Sequence, residues 1–285
     1  MSLSQIQVQP LTGALGAEVS GIDLSEPMGD NLFAAVHDAL VAHQVLFFHD
    51  QDIRPEQQLA FAKRFGDIHY HPFIQGLPEH PEIIEIIKTE TESKNFGGSW
   101  HSDQMFNRKP AMGTMLYAKE VPQAGGDTMF ASMHAAYEGL SEGMQALLEN
   151  VRSYNSGDRF KHQGGKTRRE VMAGETTMKV KDPDPGQDTE AVHPVIRTHP
   201  HSGRKALYVG GHTQRFDDMT DAESDGLLKF LREHSVRPEY TCRFRWRKGS
   251  LAFWDNRCTQ HYAVNDYAGE RRVMHRITIA GDEPF

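Results

Sequence analysis

Histidine next but one to an acid is the first spacing in this chain that could do chemistry. In an extended segment residues i and i+2 point to the same face, so His-x-Asp or His-x-Glu can offer two ligands to one metal ion. Two such pairs occur, His80-Pro81-Glu82 and His101-Ser102-Asp103. With 16 histidines and 39 acidic residues, about two pairs arise by chance, so the spacing alone decides nothing. Context separates them. Pro78 and Pro81 flank His80, and proline breaks strand pairing. His101-Ser102-Asp103 follows a flexible Gly97-Gly98 and lies between Trp100 and Phe106. By itself it fits either a ligand pair or a hydrogen-bonded surface histidine. Only two cysteines, Cys242 and Cys258, are present, so neither a disulfide framework nor a cysteine zinc site is available.

The elements that must position such groups are mixed. Leu32, Phe33, Val36 and Leu40 recur at helical spacing, and Val45–Phe48 reads as a short buried strand. Pro55 suits the first turn of a second helix carrying Leu59, Ala62 and Phe65 and stopping at Gly66. Thr220-Asp221-Ala222-Glu223 is a capping box that opens a third helix running to about His234. Strand-like runs cover 83–87, 114–118, 128–131, 206–209, 240–246, 251–254 and 272–279. They flank a long polar section, 155–190, which holds Gly164-Gly165 and many charges. Loops of that length are lids or plain surface. The expectation is one α+β domain over 1–285: a β-rich barrel or jelly roll with flanking helices and a long mobile insert.

Composition closes several other routes. Hydrophobic residues make up 38% and charged residues 25%, the balance of a soluble globular chain. The net charge of −8 argues against a nucleic-acid partner. No apolar run is long enough for a membrane helix. The first residues lack a basic patch followed by an apolar stretch, so the expected address is the cytoplasm.

The C-terminal run changes the reading of His101. It contains Trp254-Asp255-Asn256-Arg257-Cys258-Thr259-Gln260-His261 and, after Asn265-Asp266-Tyr267, Glu270-Arg271-Arg272-Val273-Met274-His275-Arg276. With Trp100-His101-Ser102-Asp103 and Gly125-Gly126-Asp127-Thr128, it resembles the taurine dioxygenase family (the TauD/TfdA type), which includes the aryloxyacetate and alkylsulfate dioxygenases. The likeness extends through Gly16–Leu24 of the N-terminal region, Phe65-Gly66-Asp67 and His193-Pro194-Val195-Ile196-Arg197, so it covers nearly the whole chain. The resemblance implies a double-stranded β-helix, cupin-like, binding Fe(II) through His101, Asp103 and His261. Two imidazoles and one carboxylate on one face leave positions open for a co-substrate and O2.

The resemblance also implies 2-oxoglutarate as co-substrate, its distal carboxylate held by Arg272 with the Thr128 hydroxyl. Arg276 takes the anionic group of the prime substrate. An arginine fork matches a carboxylate or sulfate. In a strand over 272–279 alternation puts Arg272 and Arg276 on one face and His275 on the other, which argues against His275 as a ligand. His71 matches a substrate-contacting histidine of the taurine enzymes, and Phe106 an aromatic wall. Ile74 stands where those enzymes carry a tyrosine and Gly97 where they carry an asparagine. The segment near Phe160 lacks their serine–phenylalanine pair. His212 replaces a phenylalanine, and with His199 it is similar to the aryloxyacetate branch.

These departures lead to an expected pocket that is roomier and more apolar than a taurine site, for a small anion: a sulfonate, a sulfate ester or an aryloxy or alkyl carboxylate. Hydroxylation next to a heteroatom would give succinate, CO2 and an unstable product. The alternatives are a taurine dioxygenase proper, releasing sulfite and aminoacetaldehyde, a zinc hydrolase in the same barrel, and a non-catalytic cupin-like binding protein. A homo-oligomer, dimer or tetramer, is a further implication of the family.

Overall fold

The computed structural model describes residues 6–158 and 165–285. The chain runs through β1 (Gln7–Pro10), β2 (Ala17–Ser20), α1 (Asp30–His43), β3 (Val45–Phe48), α2 (Pro55–Lys63), β4 (Ile84–Lys88), β5 (Gly113–Glu120) and β6 (Thr128–Ser132). It continues through α3 (Met133–Glu138), α4 (Glu142–Leu148), β7 (Arg152–Ser156), α5 (Arg168–Met172), β8 (Glu190–Pro194), β9 (Ile196–Thr198), β10 (Lys205–Leu207) and β11 (Thr213–Phe216). It ends with α6 (Asp221–Ser235), β12 (Thr241–Phe244), β13 (Leu251–Asp255), β14 (Thr259–Ala263) and β15 (Arg272–Ile279).

The largest sheet has seven strands in the order β1-β2-β3-β13-β5-β15-β4. A second has the order β12-β6-β14, a third β11-β7-β8, and β10 pairs with β9. The large sheet is covered on both faces, so β3, β13 and β15 are buried at every position; β3 and β13 are apolar almost throughout, whereas β15 carries Arg272, His275, Arg276 and Thr278 among its apolar residues. On one face Leu46, Phe48, Met115, Leu251, Phe253 and Ile277 pack with Val36 and Leu40 of α1 and Phe61 of α2. On the other, Phe47, Leu116, Trp254 and Met274 meet Phe130 of β6 and Phe244 of β12. The Phe47 and Phe244 rings stack at 4.1 Å. Burying each such side chain stabilises by about 1.5–3 kcal/mol. The site lies where β14 and β15, from opposite sheets, come together with the segment after Gly98.

The mixed fold with mainly β sheets agrees with expectation. All three expected helices form. Thr220 caps α6 and exchanges hydrogen bonds with Glu223, and α2 ends at Lys63 rather than Gly66. The 240–246 run is shortened: a 3-10 turn takes Pro238–Tyr240 before β12 begins. In the described parts of the section 155–190, regular structure forms. Thr167 and Glu170 form a capping box for α5, and Val180 bridges to Ile74 with Lys181 N–H donating to Phe73 O at 2.8 Å. Phe160 and Gly164 lie outside the described residues. No helix among the described residues is long and apolar enough to cross a membrane.

Candidate active site

His261 sits at the middle of β14, whose partner β6 fixes it opposite Phe130. An isolated antiparallel bridge then ties His101 to it: His101 N–H donates to His261 O at 3.1 Å and His261 N–H to His101 O at 2.9 Å. This bridge brings together residues 160 apart in sequence. His101 and Asp103 do converge, though not by the expected strand alternation, since only His101 is in a bridge and Asp103 stands in a turn. Asp103 Oδ1 lies 3.6 Å from His101 Nε2 and 3.8 Å from His261 Nε2.

The protonation states suit a divalent cation, whose ligands must be deprotonated. Burial pushes the His101 imidazole below its ordinary value and the His261 imidazole well below it, so both are neutral. Burial alone would raise Asp103, but the Arg276 guanidinium, with the hydrogen bond from Thr114, outweighs it and holds the carboxyl well below the usual range. The His101 Nδ1–H donates to Ser99 O at 2.6 Å, leaving the Nε2 lone pair turned toward Asp103. Asp103 Oδ2 accepts the Thr114 hydroxyl at 2.7 Å, and Asn256 Nδ2 donates to that hydroxyl at 2.9 Å. Asn256 Oδ1 in turn accepts Asp103 N–H at 3.2 Å. The carboxylate is therefore fixed through one oxygen, and the other faces the histidines. Two neutral imidazoles and one oriented carboxylate fit a ferrous ion, with no fourth donor in the set.

A cavity of about 580 Å³ is lined by His101 and Asp103 of this triad. Arg276 lines it, with Nη2 3.0 Å from Asp103 Oδ1 and further donors unused. His71 lines it too. Its Nδ1 accepts Phe73 N–H at 3.0 Å, and burial together with Arg276 holds the ring neutral, so Nε2 carries the proton and can donate to an anion. Phe106, Gly97 and His212 complete the near wall. A Cβ at Gly97 would stand in ordinary van der Waals contact with His101 Cε1, at 3.4 Å, but the backbone φ of +84° there strains any residue with a side chain. His212, brought down to about 3 by burial and the nearby His101, packs edge-on to His101 and Phe106.

Arg272 is buried on the same strand, with Nε and Nη2 unmatched by any acceptor among the described residues. Its guanidinium lies 5.7 Å over the Trp246 ring, whose Nε1–H donates to Thr128 Oγ1 at 3.0 Å. Arg272 and Thr128 are thus brought together beside one indole. His275 faces the other way, toward Glu85 at 3.4 Å. His80 pairs with Glu56 at 3.1 Å, away from the site.

Two expected contacts are corrected. Ile74 does not line the cavity; it packs with Ile84 and Met178 because its bridge to Val180 turns it into a small apolar cluster. His199 does not reach the cavity either. Its Nε2 is 3.0 Å from Asp255 Oδ2 and its Nδ1 accepts Ser202 N–H, so both nitrogens are committed. His199, Asp255 and Cys258 form a second cluster with metal-ligand spacing, but Arg257 holds both Asp255 oxygens, at 2.9 and 2.6 Å, and occupies the place of a cation. The cavity also has polar walls, formed by Arg168, Glu175, Lys94, Asn95 and Gln104. Sequence reasoning missed Arg168 and Gln104. The first lies in the polar insert, and no motif marks the second.

Residues 7–278 match the family described as taurine catabolism dioxygenase TauD, TfdA family. An alkylsulfatase of Acinetobacter baylyi is 36% identical over 98% of this chain and 86% of its own. An alpha-ketoglutarate-dependent sulfate ester dioxygenase of Pseudomonas putida is 34% identical over 98% of this chain and 91% of its own. The crystal structure of AAD-2 in complex with Mn(II) and N-oxalylglycine superposes with a TM-score of 0.78 at 31% identity, covering 98% of this chain and 99% of that one.

Proposed function

Since the chain belongs to the TauD/TfdA dioxygenase family, we propose that its cavity hydroxylates a small organic anion, with a sulfate ester or an aryloxy or alkyl carboxylate favoured over taurine. The single observation that carries this reading is the convergence of His101, Asp103 and His261 beside a cavity that His101, Asp103 and Arg276 line. Bound Fe(II) supplies, with O2 and 2-oxoglutarate, oxidative decarboxylation to succinate and CO2 coupled to hydroxylation of a C–H bond.

The chain's own residues do the rest. His101, Asp103 and His261 hold the ion, and Thr114 and Asn256 keep Asp103 turned to it. Arg272 and the Thr128 hydroxyl receive the distal carboxylate of 2-oxoglutarate, and the unmatched Nε and Nη2 of Arg272 support that assignment. Arg276 and the Nε2–H of His71 receive the substrate anion. Ile87, Phe106 and Val171 cover the organic body and exclude water. The α5 segment reaches over the cavity through Arg168, Met172 and Glu175, and it acts as a lid on one domain spanning 1–285. The packed sheets correspond to the double-stranded β-helix of the family. We place the protein in the cytoplasm, where two free, buried cysteines stay reduced, and a dimer or tetramer rests on the family likeness alone.

Succinate formation from a panel of alkyl sulfates, aryloxyacetates and taurine, with Fe(II), ascorbate and 2-oxoglutarate, tests this. Alkyl sulfates or aryloxyacetates should turn over better than taurine, and Arg276→Ala should raise KM for the anion by about 100-fold while KM for 2-oxoglutarate moves little. Taurine as the best substrate, or an Arg276→Ala enzyme with unchanged anion KM, would refute the assignment. Turnover without 2-oxoglutarate would point instead to a hydrolase.

A further inference from the structure

Gln104 follows Asp103 directly and lines the same cavity. Its backbone has φ +54°, a left-handed conformation that side chains other than glycine, asparagine and aspartate rarely adopt. The main chain is held there by a turn, in which Asn107 N–H donates to Gln104 O at 2.9 Å. The side chain is only 2% exposed. Neither its amide oxygen nor its amide nitrogen meets a partner among the described residues. Burying an amide with both ends unpaired is unfavourable, and an apolar side chain of similar size would carry no such penalty. Several polar atoms of the cavity wall are turned elsewhere: Asp103 Oδ2 to Thr114, His71 Nδ1 to Phe73 and Asn95 Nδ2 to Ala263 O, while Asn107 Oδ1 and Arg276 Nε are themselves unpaired among the described residues. None of them completes the amide of Gln104.

We infer that Gln104 is a specificity-determining residue that reads a neutral polar group on the substrate: a hydroxyl or carboxamide, carried on the organic body of the anion. The inference rests on the reading of Arg276 as the anion anchor, and it narrows the substrate from an anion with any apolar body to one bearing such a group. The amide offers one acceptor and two donors, and a hydroxyl or carboxamide likewise both donates and accepts. A site of this kind rejects the analogue that lacks the group, because the buried amide is then left unpaired.

The test compares matched pairs, an alkyl sulfate with its hydroxyl-bearing analogue and an aryloxyacetate with its carboxamide-bearing analogue, by succinate formation in the Fe(II)-loaded enzyme. The native protein should favour the polar member of at least one pair by about 100-fold in kcat/KM. Gln104→Leu should bring that ratio near one, both by slowing the polar member and by speeding the plain one. Gln104→Met, unbranched, makes the same test where leucine strains the backbone, and Gln104→Asn, which keeps the amide, should preserve part of the preference. The visible absorption of the anaerobic Fe(II)–2-oxoglutarate complex reports that the centre assembles in each variant. A native enzyme without preference, or apolar variants that slow both members equally, would overturn the inference alone. If no anion is consumed while that complex forms, the anion reading of Arg276 falls, and this inference with it.

Discussion

His101, Asp103 and His261 form one cluster with metal-ligand spacing, and His199, Asp255 and Cys258 form another. The second is fully buried and the first is buried except for a partly exposed His101, and both place a histidine nitrogen within 4 Å of a carboxylate oxygen. They differ in where the compensating positive charge comes from. Arg257 takes both Asp255 oxygens, so that carboxylate is neutralised within the fold. Arg276 approaches only Asp103 Oδ1, at 3.0 Å, while Oδ2 is occupied by a neutral hydroxyl. The first cluster opens on a cavity and the second does not. Ligand spacing is therefore insufficient to mark a metal site; the carboxylate must also escape being clamped through both oxygens by one guanidinium, and it must face a cavity. Asp255 and Asn256, adjacent in the chain, divide the work, one pinning the closed cluster and the other orienting Asp103.

The comparison breaks most visibly at Asp255. Asp255→Ala leaves the buried Arg257 uncompensated and should cost about 3–5 kcal/mol. Thermal unfolding should fall by roughly 10 °C. The stoichiometry of metal binding should not change, and a lost metal site with unchanged stability would reverse the roles of the two clusters. In the open cluster Thr114→Val removes the hydroxyl from Asp103 Oδ2. Mn(II) affinity should weaken by about 10- to 100-fold and Thr114→Ser should restore it, because ligand orientation is what the hydroxyl supplies. Equal affinity in all three proteins would mean that the carboxylate orients itself.

A smaller effect concerns pH near the closed cluster. His134, edge-on to His199, is held at about 4 by burial, only partly offset by its hydrogen bond to Lys205 O. The folded protein keeps it neutral at pH 5, where the unfolded chain protonates it. Its contribution to stability is therefore complete above about 6.5 and is lost as pH falls toward 4. Between pH 7 and 5 it should account for about 2 kcal/mol. Denaturant unfolding at the two pH values should show a shallower pH dependence in His134→Gln; identical slopes would mean the ring is not buried neutral.

The sequence carried most of the open cluster and little of the closed one. His101 and Asp103 stand two residues apart, and β15 is legible as eight buried residues with two arginines on one face. His261 required the likeness of the whole C-terminal run, because Thr259-Gln260-His261-Tyr262-Ala263 has no apolar alternation to announce β14. His199 was misplaced because its partner Asp255 lies 56 residues further on. Gln104 was invisible, since an unpaired amide exists only once every neighbour is in position. The insert read as loop because α5 buries none of its own residues; it is held by a capping box and by surface ion pairs such as Lys94–Glu175 at 2.8 Å.

Calorimetric titration of the metal-free protein with Mn(II) in the presence of 2-oxoglutarate tests the central claim most directly. The account predicts one ion per chain, lost in Asp103→Ala and in His261→Ala and retained in Cys258→Ala. A second ion in the native chain, or binding that survives Asp103→Ala but not Cys258→Ala, would contradict it.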